Sequence, residues 1–220
     1  MSEQRTGEGE SGSVVCVHGL WMSGLEMSVL RTRLGQSGFH VRQFSYPSVL
    51  RSPATHVEAL ATLVSRMPGP EVHLVGHSLG GLVILHLLHC CCPQRFGRAV
   101  LLGSPVTGSR LARRARRSRM GAWFLGRSWR GGLDGDVPSW QGAPDRVGAI
   151  GGTWGVGLAH YVAGPLTPPH DGVVQLDETR LSGAAHLALP VSHVSMLFSR
   201  EVADATALFL RTGRFQPSPG

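Results

Sequence analysis

The chain contains no lysine and no asparagine, and all 21 of its basic residues are arginine. GC-rich coding produces such a bias whatever the function, so the net charge of +7 does not by itself indicate a polyanionic partner. The excess is also local. Ser109 to Arg130 carries eight arginines and no acid, while the remaining chain has thirteen arginines against fourteen acids. A domain built to grip a phosphate backbone spreads its cations over a face, so nucleic acid is not an expected partner. Cysteine is scarce. There are four, Cys16, Cys90, Cys91 and Cys92, and three of them are consecutive. No disulfide framework can be drawn, and no Cys-x-x-Cys pair suggests zinc. Reduced thiols in a cytoplasmic protein are expected, with Cys16 a small core residue and no metal or cofactor. Long apolar runs are missing too: none approaches the roughly 18–20 residues of a membrane span. Met1 to Ser13 is Glu/Gly/Ser-rich without an apolar h-region, so it reads as a disordered tail rather than a secretory signal. The 220 residues, 42% hydrophobic and 16% charged, suffice for one α/β domain with a sizeable core, placed at 14–215.

The stretch that organises the chain is Glu71 to Leu85. A short apolar run, Val72 to Val75, is of buried-strand type. Gly76-His77-Ser78-Leu79-Gly80 follows, then Gly81 and an apolar segment of helical length. Strand, Gly-x-Ser-x-Gly and helix together describe a nucleophile elbow, in which Ser78 takes a strained conformation with its Oγ held out at the sheet edge. Glycines at 76 and 80 let strand and helix pass closely. The backbone N–H of Leu79, at the helix start, is a natural oxyanion donor. The pentapeptide alone also describes an ordinary Gly-rich turn.

With its flanking strand and helix, the elbow resembles the α/β-hydrolase superfamily, and more closely its compact bacterial lipase and esterase branch. The resemblance implies an order of Ser, acid, His along the chain and a mostly parallel sheet covered by helices on both faces. It also implies an oxyanion donor after the first core strand. Val14 to Val17 is that strand, ending in His18-Gly19-Leu20-Trp21, and the position of the family's His-Gly-x motif carries the second donor to Leu20. His170-Asp171-Gly172-Val173-Val174 matches the turn that holds the triad acid, so the role passes to Asp171. Asp177 and Glu178 are spare candidates, and a plain Asp-Gly turn is the alternative. The triad histidine belongs between last strand and last helix, where Pro190-Val191-Ser192-His193 offers His193. His186 lies inside the strand run and reads as a packed or solvent-facing histidine.

About six strands are expected: Val14 to Val17, Phe39 to Phe44, the elbow strand, Arg98 to Leu102, Val147 to Ile150 and Ala184 to Leu189. Helices are expected over Gly24 to Leu34 (apolar Leu25, Val29 and Leu30), Pro53 to Met67, the elbow helix to about Cys90, and Val194 to Leu210. Gln216 to Gly220 reads as a polar tail. Val106 to Trp140 is an insertion after the fourth strand. Ser109 is a reasonable N-cap for a helix from Arg110 to about Met120. Gly121 to Gly126 is a very apolar patch, and Arg127 to Gly135 reads as loop. Two readings stand for the insertion: a mobile lid with an aromatic underside and a basic outside, suited to a lipid-like substrate or transient membrane-surface contact, or a solvated Arg-rich helix anchored by Trp123 and Phe124. The expected substrate rim is apolar, formed by Trp21, Tyr46, Val106, Trp123, Phe124 and Val173 beside Leu20.

The expected chemistry is cleavage of carboxylic esters by Ser78, His193 and Asp171 through an acyl-enzyme. A thioesterase, amidase or acyltransferase would use the same groups. A catalytically silent binder of an apolar ligand or a membrane surface is the non-enzymatic alternative. A small-molecule or lipid-like ester is the expected partner.

Overall fold

A computed structural model describes residues 12–156 and 164–216. Nearly all of both expected tails, and Tyr161, lie outside them. Six strands form one sheet: β1 (Ser13–Val17), β2 (His40–Phe44), β3 (Val72–His77), β4 (Phe96–Leu102), β5 (Val147–Gly152) and β6 (Ala185–Leu189). Their order is β2-β1-β3-β4-β5-β6 and every pairing is parallel. A parallel sheet is buried on both faces, which is why its strands read as continuous apolar runs. β1, β3 and β5 are buried at every position.

Successive side chains point to opposite faces. Val15 and Val17 face one cluster with α2 (Val57–Ser65) and α3 (Leu79–Cys91). Val14 and Cys16 face another with α1 (Ser28–Gln36) and α6 (Arg200–Thr212). The sheet thus carries helices on both faces. Burial pushes the Cys16 thiol up to about 12, so it is an inert core residue.

Four helices depart from the expected bounds, the second because a 3-10 turn, Pro53–His56, precedes α2. The first begins at Ser28, after a 3-10 turn over Leu25–Met27 entered through Gly24 at φ 98°. That turn shifts the buried stripe to Met27, Leu30 and Leu34, leaving Leu25 exposed. The last begins only at Arg200, where the Ser199 side chain accepts a hydrogen bond from the Val202 N–H, and Val194 and Phe198 stay at the surface.

The insertion holds two short helices rather than one, α4 (Arg110–Ala115) and α5 (Arg119–Leu125). Ser109 caps the first, as expected, and Ser118 caps the second. A Cβ on Gly121 would lie 2.0 Å from the Ala115 carbonyl oxygen, so the corner between them closes only around glycine. A 3-10 turn, Gly126–Trp129, occupies the start of the expected loop.

The chain runs from β1 outward to β2, returns across β1 to β3, and then proceeds to the other edge. Neighbouring loops at such a reversal leave a crevice at the C-terminal ends of the strands, where α/β sheets bind ligands. The His18–Trp21 loop after β1 and Ser78 after β3 flank that crevice.

Candidate active site

β3 delivers Ser78 into the turn before α3. Ser78 has φ 53° and ψ −119°, a region that costs a non-glycine residue about 1–3 kcal/mol. The sheet holds it there: its N–H donates to the Leu102 carbonyl at 2.8 Å, one step past the end of β3. The close passages need glycine. A Cβ on Gly76 would stand 2.6 Å from the Gly81 backbone, and one on Gly80 would stand 2.2 Å from the Val17 carbonyl oxygen. Leu79 is the first residue of α3, so its N–H has no partner within the helix.

Asp171 follows β5 and is wholly buried. Its Oδ1 accepts the N–H groups of Val173 at 2.9 Å and Val174 at 2.7 Å. Its Oδ2 lies 2.7 Å from Nδ1 of His193. The His193 N–H donates to the Asp171 carbonyl at 2.8 Å, locking the two loops together. Burial alone would raise the carboxyl's pKa. The His193 ring and the two backbone donors outweigh it and hold the group below the usual carboxylate value. A Cβ on Gly103 would lie 3.1 Å from both Asp171 Oδ2 and His193 Nδ1, so β4 also needs a glycine where it meets this pair.

The loop after β1 is fixed by polar contacts in the core. Nε2 of His18 accepts the Tyr46 N–H, so its Nδ1 carries the proton and donates to the Gly19 carbonyl at 2.9 Å. The Tyr46 hydroxyl donates to the His18 carbonyl at 2.8 Å, and the two rings stack 4.5 Å apart. Trp21 has φ 58° and donates its N–H to Ser48 Oγ. Leu20, between them, lines the same cavity as Ser78 and Leu79.

That cavity has a volume of about 580 Å³ and is lined almost wholly by apolar groups. Ser78, His77 and His193 are at its wall, with Leu20, Trp21, Leu79 and Val173 around them. The insertion closes the other side with Leu111, Ala112 and Ala115 of α4 and Met120, Trp123, Phe124 and Leu125 of α5. Trp21 bridges to it: its Nε1–H donates to the Phe124 carbonyl at 2.8 Å, and its ring lies 6.0 Å from Trp123 and 5.5 Å from Phe124. Trp123 is 72% exposed, so it stands at the mouth rather than in the core.

Two expected rim residues are elsewhere. Tyr46 is buried, because its hydroxyl is spent on the His18 loop, and it supports the site from behind. Val106 packs in the core cluster of α2 and α3. Neither lines the cavity. Asp177 is paired with Arg110 outside it, at 2.8 Å. The Glu178 carboxylate accepts the N–H groups of Arg110 and Gln175. Both acids thus tie down the base of α4 and neither meets His193. His186 packs on Thr179 Oγ1. Among the described residues, no group of three or more His, Cys, Asp or Glu side chains is placed to hold a metal ion.

A profile of the alpha/beta hydrolase family matches residues 14–207, which span the sheet, the elbow and both loops that meet at Asp171 and His193. The chain belongs to the alpha/beta hydrolase family. No curated protein sequence matches it. Among solved structures it is similar to the mature form of the Bacillus licheniformis lipase BlEst2. The identity is 19% and the TM-score 0.68, over 88% of this chain and 89% of that one. It is also similar to the phospholipase PlaB of Legionella pneumophila, at 16% identity and TM-score 0.63, over 92% of this chain and 59% of that one. A thioesterase domain from the curacin biosynthetic pathway matches at 16% identity and TM-score 0.58, over 92% of each chain. At these identities the likeness is one of fold.

The sequence reading missed three contributors. His77 is an unremarked x in Gly-x-Ser-x-Gly, though its burial in an apolar strand was a signal. Gly103 carries no signal in the sequence beyond a glycine after a strand. The cavity face of α4 escaped notice because Leu111, Ala112 and Ala115 are outnumbered by arginines in the chain, yet they share one side of the helix.

Proposed function

We propose that the protein is a serine hydrolase that cleaves carboxylic esters with an apolar acyl group. The observation that carries this reading is the strained Ser78 sharing an apolar cavity with His193, whose Nδ1 is bound to the buried Asp171. In the reaction His193 Nε2 takes the Ser78 hydroxyl proton as Oγ attacks the ester carbonyl carbon. The carbonyl oxygen gains negative charge and is received by the N–H groups of Leu20 and Leu79. Asp171 holds the His193 tautomer with Nδ1 protonated and stabilises the imidazolium. The tetrahedral intermediate collapses, the alkoxide leaves with the proton from His193, and Ser78 keeps the acyl group. Water, deprotonated by His193, then attacks the acyl-enzyme and releases the acid.

The insertion acts as a lid. Its inner face supplies Leu111, Ala112, Ala115 and Leu125 to the acyl group, and Trp123, Phe124 and Met120 stand exposed at the mouth. These apolar side chains, on a segment with eight arginines and no acid between Ser109 and Arg130, suit transient contact with an anionic lipid surface. The exposed free thiols Cys90, Cys91 and Cys92 suit a reducing compartment such as the cytoplasm. A thioester would meet the same groups, and the curacin thioesterase domain shares the fold.

The test is hydrolysis of p-nitrophenyl esters from two to sixteen carbons, with acyl thioesters in parallel, by wild type and Ser78→Ala. Turnover that rises with chain length and falls at least about 10³-fold in the variant is expected. Equal, background rates in both proteins would end the hydrolase reading. Turnover of thioesters alone would replace the ester by a thioester.

A further inference from the structure

We propose that His77 is a positioning residue that holds His193 in register with Ser78 through the His193 backbone carbonyl. This rests on the serine-hydrolase reading. His77 Nε2 lies 2.9 Å from the His193 carbonyl oxygen, a group that only accepts, so Nε2 carries the proton and donates. The bond joins residues 116 positions apart. It is the third fastening on His193. The N–H and the Nδ1 of that residue both go to Asp171, so those two bonds tie His193 to one loop and not to the elbow. The His77 bond supplies the missing link, since His77 is the last residue of β3 and adjoins Ser78 in the chain. The rings of His77 and His193 are 4.8 Å apart at 48°.

The other edge of the His77 ring reaches the oxyanion loop. A Cβ on Gly19 would lie 3.1 Å from His77 Nδ1 and 3.1 Å from Ser78 Cβ. One wholly buried ring therefore separates the Gly19-Leu20 turn from the His193 loop and sets the spacing of donor, nucleophile and base. His77 Nδ1 has no hydrogen-bond partner among the described residues, a cost that a purely apolar spacer would avoid. Burial, and then the neighbouring His193, push the His77 pKa down to about 3. The ring therefore stays neutral and places no second positive charge beside the imidazolium that forms at His193. Leucine at this position would fill the space and could not hold the carbonyl. Glutamine would place an N–H at similar reach.

The experiment compares wild type, His77→Leu and His77→Gln by kcat, KM, Tm and the low-field proton resonance of the Asp171–His193 hydrogen bond. His77→Leu is expected to lose about 10–100-fold in kcat with KM little changed, as a base misplaced by about an ångström does, and its low-field resonance should broaden or vanish. His77→Gln is expected to recover most of the rate and the resonance, with Tm values of the two variants close. A His77→Leu protein that keeps wild-type kcat and a sharp resonance would overturn the proposal. So would equal losses in both variants, which would mark a packing role. If the wild type turned over no ester or thioester, the hydrolase reading would fail, and the resonance in the two variants would still decide whether His77 holds His193.

Discussion

Asp171 divides its two carboxylate oxygens between different tasks. Oδ1 takes two backbone donors from its own turn and Oδ2 takes the His193 ring. An asparagine there would keep its oxygen on the Val173 and Val174 N–H groups, which leaves the amide NH₂ facing Nδ1. His193 would then carry its proton on Nε2, the atom that accepts from Ser78 in the proposed reaction. Asp171→Asn is therefore expected to fold normally and to lose about 10⁴-fold in kcat. Matched thermal unfolding and a steady-state assay check this, and a variant with more than a tenth of wild-type activity would remove Asp171 from the mechanism. At this scale much was legible in the sequence. Ser78, Asp171 and His193 each sit in a short motif whose local geometry is set by neighbouring glycines or prolines. Tyr46 was not legible, because an aromatic residue after a strand reads the same whether its hydroxyl faces a cavity or, as here, the His18 carbonyl.

At the scale of elements, the helical part of the insertion is held at the base of α4 and at the end of α5. The base of α4 is tied by Arg110 to Asp177 and by Glu178 to the Arg110 N–H. The end of α5 is tied by the Arg127 N–H to the Val49 carbonyl. Trp21 meets the end of α5 as well, through its indole N–H and its ring. Trp123 contributes little to this anchoring, being mostly exposed at the cavity mouth. Trp123→Ala is thus expected to change stability by no more than about 0.5 kcal/mol. It should lower kcat/KM for long-chain esters about tenfold, the equivalent of ~1.4 kcal/mol, with short-chain esters unaffected. It should also reduce retention on anionic vesicles. Chain-length profiles and vesicle flotation read both, and a variant indistinguishable from wild type in each would make the insertion a passive cover. Helix bounds in this region were poorly legible. Arginines mask the apolar side of α4, and the break before Ser118 depends on how closely Gly121 approaches Ala115.

For the whole molecule, the core encloses histidines that stay neutral. Burial pushes His77 down to about 3 and His73 down to about 4, and holds His18 and His56 below their ordinary value. His73 Nδ1 accepts the Arg98 N–H at 2.9 Å where the β3–β4 register shifts, so protonation there also removes an acceptor from the sheet. Below the ordinary histidine value of 6.5 the unfolded chain takes up protons that these folded sites refuse. Stability is complete above that pH and is lost as pH falls toward 4, at up to about 1.4 kcal/mol per pH unit for each of His73 and His77. Asp171, with its depressed pKa, adds a loss only below the usual carboxylate value of 3.8. Urea midpoints between pH 7.5 and 4.5 should fall steadily from about pH 6.5. A flat curve over that span would mean that these histidines take up protons in the folded protein as readily as in the unfolded chain.

The sequence by itself determined the strands and the elbow, because each follows from local patterns, while the parallel sheet and the order of serine, acid and histidine came from the family resemblance that those patterns carry. Apolar runs of strand length, glycines at the tight passages and an Asp-Gly turn constrain their own backbone wherever the chain goes. The tertiary structure alone decided what those loops do to one another. It put Tyr46 behind the His18 loop, made Asp177 and Glu178 anchors for the insertion, turned one face of an arginine-rich helix into cavity wall, and laid His77 against the carbonyl of His193. Each of these contacts joins residues far apart in the chain. Their partners are set by the packing of β1, β3, β4 and β5 side by side, and no local periodicity carries that information.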